Sequence, residues 1–256
     1  MGAPEYRNAR SVRSCDNRPR VFPTTHRSVL ASLASDAAEE RSRAYETLVA
    51  AYWKPVYKHV RLRWRRSDED AKDLTQGFFA AALEKEFLAG YDAEKARFRT
   101  FLRVCLDRFV ADDAAAARRR KRGGDVPRTQ LDFDAAEAEL ARAAPPADPI
   151  EEHFDREWLR SVLALAVERL RLDCEARRRP KRFELFRRSY LDDAAQRPTY
   201  AALASEHGIA VTDVTNELSA ARRELRRAVL AVLREITASD REFRAEARLV
   251  LGSDLP

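Results

Sequence analysis

The chain has 256 residues, of which 45% are apolar, enough to bury a core and too many for wholesale disorder. Its 48 Lys+Arg against 42 Asp+Glu leave a formal charge of +6 and a pI near 9.4, a mild bias toward a polyanionic partner. The longest uncharged stretch runs only from Leu74 to Leu83, far short of the roughly 18 residues of a membrane span. No apolar run follows the early arginines, so no secretory signal is expected and a cytoplasmic location is.

Only seven glycines occur, and Ala, Leu, Glu and Arg dominate, which is helix-forming composition poor in strand formers. Cys15, Cys105 and Cys174 are odd in number and widely separated. His26, His59, His153 and His207 are isolated. Neither a disulfide framework nor a metal site is expected.

Residues 1–27 read as a disordered basic leader. A helical block, 28–122, follows. From Arg41 to Trp64, Tyr45, Leu48, Val49, Tyr52, Val56 and Val60 form one stripe at helical spacing, and Pro55 is expected to kink or divide it. Ser67 precedes Asp68, Glu69 and Asp70, a cap followed by acid in the first turn, which predicts a new helix. That helix buries Ala71, Leu74, Phe78, Ala82 and Leu83. Beyond a loop around Gly90, Phe98, Phe101, Leu102, Cys105, Leu106, Phe109 and Val110 give the strongest helical periodicity in the chain, with Arg99, Arg103, Asp107 and Arg108 on the opposite face.

Residues 123–149 carry two glycines, Pro127, Pro145, Pro146 and Pro149 and read as an interdomain linker in which Leu131 and Phe133 can dock on a neighbour. The second block, 150–237, opens with an amphipathic helix over Trp158–Leu172, ended by Arg177, Arg178, Arg179 and Pro180. A short helix over Phe183–Leu191 follows. Thr199 caps a helix that stops at Gly208, and Thr212 is expected to cap a longer one with the stripe Val214, Leu218, Ala221, Leu225, Val229, Val232 and Ile236. Short helix, glycine turn and long helix predict a helix-turn-helix. The tail, 238–256, has Phe243, Leu249 and Val250 spaced for a short helix or a regulatory contact.

With Val214 turned to the core, the far side of the long helix carries Thr215, Asn216, Ser219, Arg223 and Arg226, with Arg222 at the border; such side chains read base edges and phosphates, or simply solvate a helix. Arg118, Arg119, Arg120, Lys121 and Arg122 form a second cationic feature, fit for a polyanion or for a helix C-terminus. The loop from Ala89 to Arg97, with Tyr91, Lys95 and Arg97, suits an unstacked base or plain loop packing. No Gly-rich phosphate loop, no nucleophile elbow and no Cys/His pair is present, so no catalytic residue, no metal and no cofactor is expected.

The stretch DEDAKDLTQGFFAAALEKEFLAGYDAEKARFRTFLRVCLDRFVADDAAAARRRKR (Asp68–Arg122) resembles the promoter-melting helical domain of bacterial RNA polymerase sigma factors of the extracytoplasmic-function (ECF) group. TYAALASEHGIAVTDVTNELSAARRELRRAVL (Thr199–Leu230) resembles that group's C-terminal helix-turn-helix. The resemblance implies an all-α protein of two helical domains that binds core RNA polymerase, recognises promoter DNA and assists strand opening. On it, Asp70, Asp73, Leu74 and Gln76 match the polymerase-docking helix, and the loop Leu88–Arg97 matches the part that captures a flipped base. Arg97, Arg99, Arg103 and Arg118–Arg122 match the basic surface that meets promoter strands. Thr215, Asn216, Ser219, Arg222 and Arg223 match the helix that reads the minus-thirty-five element.

Two departures stand out: Lys72 where an acid is common, and Gly77 where Glu is often seen. In some related groups without those acids, phosphorylation of a residue such as Thr75 is thought to act as the switch, which adds a protein kinase, beside an anti-sigma factor, to the partners the resemblance implies. The rival to this reading is a stand-alone helix-turn-helix regulator, which needs neither the Asp68–Gln76 helix nor the linker.

Overall fold

A computed structural model describes residues 32–33, 37–84, 90–117, 131–142 and 149–252. The leader 1–27, Leu88 and Ala89 of the loop, and the cationic run Arg118–Arg122 lie outside the described residues. Nine α-helices and no strands occur among the described residues, so the fold is all-α as the composition predicts.

Helix α1 (Ala38–Arg63) carries the expected stripe, with Leu48, Tyr52, Val56 and Val60 buried. Of the two outcomes expected of Pro55, a kink or a division, the helix is not divided there. The missing N–H and the ring clash cost about 3 kcal/mol in a helix interior. Burial of Ala51, Tyr52, Val56 and Tyr57 on either side, at roughly 1.5–3 kcal/mol for each large side chain, outweighs that. Helix α2 (Asp68–Glu84) starts where Ser67 predicts: the Asp70 N–H donates to Ser67 Oγ at 3.1 Å. Helix α3 (Phe98–Ala117) sets Phe98, Leu102, Leu106 and Val110 at the centre of its buried face, with Phe101, Cys105 and Phe109 at the half-buried edge.

The stretch read as a linker contains an unpredicted helix, α4 (Phe133–Arg142). Phe133 and Leu140 are its only large apolar side chains, and it is held by Phe133 and Ala136 together with a ladder of polar contacts to α1. Arg61 grips Glu137 through Nε at 2.6 Å and Nη2 at 3.0 Å, Tyr57 OH donates to Glu137 at 2.6 Å, and Lys54 and Lys58 reach Glu139 at 2.8 and 2.7 Å. Phe133 meets Trp53 and Tyr57 at ring separations of 5.5 and 5.1 Å, so its expected docking is met on α1.

Helix α5 (Ile150–Ala176) is followed by α6 (Pro180–Phe186), which continues as a π-helical turn over Arg187–Leu191. The short helix expected from Phe183 thus begins earlier, because Pro180 sits at its first turn, where a missing N–H costs nothing. Helix α7 (Tyr200–His207) is capped by Thr199, whose Oγ1 accepts from the Ala202 N–H at 3.2 Å. It ends at Gly208 (φ +61°), where the Ile209 N–H returns to the Ala204 carbonyl at 3.0 Å. Helix α8 (Val211–Ile236) does not use Thr212 as its cap: the residue lies inside the first turn, and Asp213 accepts from the Ala210 N–H instead, at 3.3 Å. Helix α9 (Asp240–Leu251) is the last described element, with Ser239 Oγ accepting from the Glu242 N–H at 3.2 Å.

Two apolar cores result. The larger joins α1–α4 with Phe154, Trp158, Val162 and Ala166 of α5, the last turns of α8, and Phe243 and Ala247 of α9. The smaller closes the helix-turn-helix around Leu170, Leu185, Leu203, Val214 and Leu218. The long helices α5 and α8 therefore contribute to both cores.

Candidate nucleic-acid interface

The first turn of α2 gathers Asp68, Glu69 and Asp70, favoured there by the helix dipole. Asp68 is turned back to the fold. It shares the single Tyr57 O–H with Glu137, each carboxylate 2.6 Å from the phenol oxygen, and pairs with Lys72 at 3.0 Å, and the Tyr57 bond first, then Lys72, holds its carboxyl below the usual range. Lys72 also reaches Asp134 of α4 at 3.3 Å. Glu69, Asp70 and Asp73 face solvent, Gln76 is half-buried, and Leu74 is turned into the core. Glu69, Asp70 and Asp73 therefore form the exposed acidic side of this helix. Thr75 is fully buried, and its Oγ1 has no hydrogen-bond partner. A kinase reaches that hydroxyl only if α2 lifts from its neighbours.

The loop before α3 is a closed turn. Asp92 accepts from the Glu94 N–H at 3.0 Å and pairs with Lys95 at 3.1 Å. Tyr91 donates to the Ala96 carbonyl at 2.8 Å and sets its ring edge-on to Phe98 at 5.2 Å. Burial, reinforced by the nearby Glu242, pushes the Tyr91 phenol well up.

The three arginines predicted to form a basic surface do not line one open face. Arg99 is buried rather than opposite the apolar stripe: it pairs with Glu246 of α9 and, through Nε at 3.0 Å, with Asp155 of α5, and its guanidinium lies 4.6 Å from the Trp158 ring centre. Arg97, half-exposed, approaches Glu246 at 3.8 Å, and Arg103 pairs with Glu151 at 3.3 Å. The physical reason is that α5 and α9 bring carboxylates to the far side of α3, which periodicity within α3 cannot reveal. Asp107, expected on a solvated face, instead accepts from His59 Nε2 at 2.9 Å and Trp64 Nε1 at 2.8 Å.

The α8 surface is different. Val214, Leu218 and Ala221 point inward, which leaves Thr215, Asn216, Arg222 and Arg223 exposed and Ser219 and Arg226 half-buried. Arg222 donates to Ser219 Oγ at 3.2 Å, and Thr215 bonds back to the Val211 carbonyl at 3.0 Å. The helix is braced by a residue the sequence reading missed. Arg182 of α6 is buried and donates to Glu217 and Glu224, both at 2.5 Å, so two acids of α8 are satisfied inward while its cations face out. Also missed were Glu242 and Glu246; their spacing of four on a C-terminal helix was the available signal.

No group of three or more potential metal ligands and no helix long and apolar enough to cross a membrane occurs among the described residues. The family model described as ECF sigma factor matches residues 36–238. No curated protein and no solved structure matches the chain.

Proposed function

The chain belongs to the ECF sigma factor family, whose members act in transcription initiation with core RNA polymerase and promoter DNA, and on that premise we propose how its surfaces divide the work. Residues 28–122 bind the polymerase and the minus-ten region, and residues 150–237 bind the minus-thirty-five element. The exposed acids Asp70 and Asp73, with Gln76 beside them, dock on the polymerase, and Leu74 holds their helix in place. Thr215, Asn216, Arg222 and Arg223 enter the major groove, with Ser219 and Arg226 at the margin. The chain contributes no catalytic group; it positions DNA and leaves the chemistry to the polymerase.

The observation that carries this reading is the exposed polar and cationic face of α8, braced from behind by Arg182. Run-off transcription from genomic template with purified core polymerase tests it. The full chain is expected to start discrete transcripts, and Asp73→Arg, correctly folded, is expected to lose both polymerase binding and transcripts. Unchanged polymerase affinity in Asp73→Arg would remove α2 from the interface. Specific duplex binding without any response to polymerase would favour a stand-alone regulator.

A further inference from the structure

Helix α9 begins at Asp240, just past the residues shared with the family, yet it is built against Arg97, Arg99 and the start of α3, which the sequence resemblance gives to promoter strands. Its inward stripe mixes apolar and acidic side chains: Phe243 and Ala247 enter the large core, and Glu242 and Glu246 are buried beside them. Glu242 accepts from the Phe98 N–H at 2.6 Å and from the Ala238 N–H at 2.9 Å. The Phe98 amide is among the orphan donors at the start of α3, where the helix dipole favours an anion. Glu246 takes Arg99 and approaches Arg97. A helix N-terminus with two arginines beside it is an anion seat of the kind that holds a phosphate. Here two carboxylates of the chain itself fill it.

We propose that α9 is an intramolecular cover for the promoter-strand surface, its Glu242 and Glu246 standing where backbone phosphates of single-stranded DNA bind when the helix leaves. The inference rests on the assignment of Arg97, Arg99 and the loop before α3 to promoter DNA. Twelve residues are too few to persist as a helix alone in water, so α9 folds only while docked. Its contacts with the loop include an exposed Arg241–Glu94 pair at 2.6 Å beside an open cavity of about 270 Å³ lined by Lys95, Arg97, Glu242 and Ala245. Burial pushes the Glu246 carboxyl up despite Arg99 and Arg97, so its charge is held there at a cost. Polymerase-bound DNA, with many phosphates, competes for the same cations at high local concentration.

The test compares three proteins: the full chain, a chain ending at Ala238, and full-length Glu242→Gln/Glu246→Gln. Each is titrated with a fluorescein-labelled mixed-sequence 20-nucleotide single strand over a salt series. The shortened and double-Gln proteins are expected to bind about tenfold tighter, with a log–log salt slope steeper by about 0.7 for each phosphate newly contacted. Equal affinity across the three, each folded by circular dichroism, overturns the cover, as does weaker binding by the double-Gln protein. Should the shortened chain not fold, hydrogen exchange on the full chain decides. Saturating oligonucleotide is expected to strip protection from the α9 amides, and retained protection overturns the proposal. No binding by any of the three fails the assignment of this surface to DNA and the cover with it, whereas equal binding by all fails the cover alone.

Discussion

The outward arginines of α3 and α8 begin from the same pattern, an apolar stripe with cations opposite, and end in opposite states. On α8, Arg222 and Arg223 are exposed, and two acids of that helix, Glu217 and Glu224, are drawn inward by Arg182. On α3, Arg99 and Arg103 are taken by acids from α5, and Arg99 also by Glu246 of α9. What separates the two faces is whether an element distant in sequence supplies the counter-charge. A basic helix face is therefore a nucleic-acid surface only after every element packed against it has been accounted for.

The sharpest way to break the comparison is to remove one arginine from each face. Arg99→Ala strands Glu246 in a buried position, strips the Trp158 ring of its cation and deletes a packed side chain. Losing one partner of a buried ion pair costs about 3–5 kcal/mol, so a large fall in Tm is expected. Arg223→Ala, on an exposed face, is expected to leave stability within about 0.5 kcal/mol of the parent. Thermal unfolding of the two variants side by side measures both. Similar Tm values would mean that Arg99 is not a structural residue.

The next effect in size lies in binding. If Arg223 reads a base, Arg223→Ala weakens discrimination between promoter and mutated promoter duplex by about 1–3 kcal/mol with little change in salt slope. Arg227→Ala, a turn further along and also exposed, is expected to weaken binding to every sequence alike and to flatten the salt slope by about 0.9, the signature of one lost phosphate contact. Competition binding at two or three salt concentrations separates these outcomes. Equal loss on all sequences for Arg223→Ala would move it from base reader to phosphate contact.

Much of the fold is legible in local signals. The Ser67 cap, the Thr199 cap, the left-handed Gly208 and the stripes of α1, α3 and α8 depend on residues within a turn or two of each other, and they lie where the pattern places them. What eluded the sequence depends on distant partners. Helix α4 has only two large apolar side chains, Phe133 and Leu140, and folds because Lys54, Tyr57, Lys58 and Arg61 of α1 satisfy its glutamates. Helix α1 survives Pro55 because both flanks are buried. Thr212 lost the capping role to Asp213, whose carboxylate reaches the Ala210 N–H. Of the candidate interface, Thr215, Asn216, Arg222 and Arg223 of α8 are placed outward as helical spacing requires and Ser219 and Arg226 are half-buried, whereas the fate of Arg97, Arg99 and Arg103 was set by Glu151, Asp155 and Glu246.

The smallest expected effect is the most diagnostic of the buried cluster. Glu246 faces Arg97 and Arg99, with Tyr52 of α1, Tyr91 of the loop and Glu242 of its own helix close by, and Asp155 of α5 shares Arg99. Burial is the largest influence and raises its carboxyl above the ordinary value, with the arginines pulling it back. The folded state therefore binds this proton more tightly than the unfolded chain does. Its contribution is fully present below the unfolded value and is lost as pH rises through the raised folded value. Carboxylates lowered by their partners, such as Asp68 and Glu137, have the opposite slope, but they are common to both proteins and cancel in a difference. The Tm of the parent minus that of Glu246→Gln is thus expected to climb on acidification from neutral pH and to level off near pH 4. The same difference taken against Arg223→Ala is expected to stay flat, since a guanidinium keeps its charge throughout. A flat Glu246→Gln difference would mean that this carboxylate is solvated and that α9 already stands off α3 in solution.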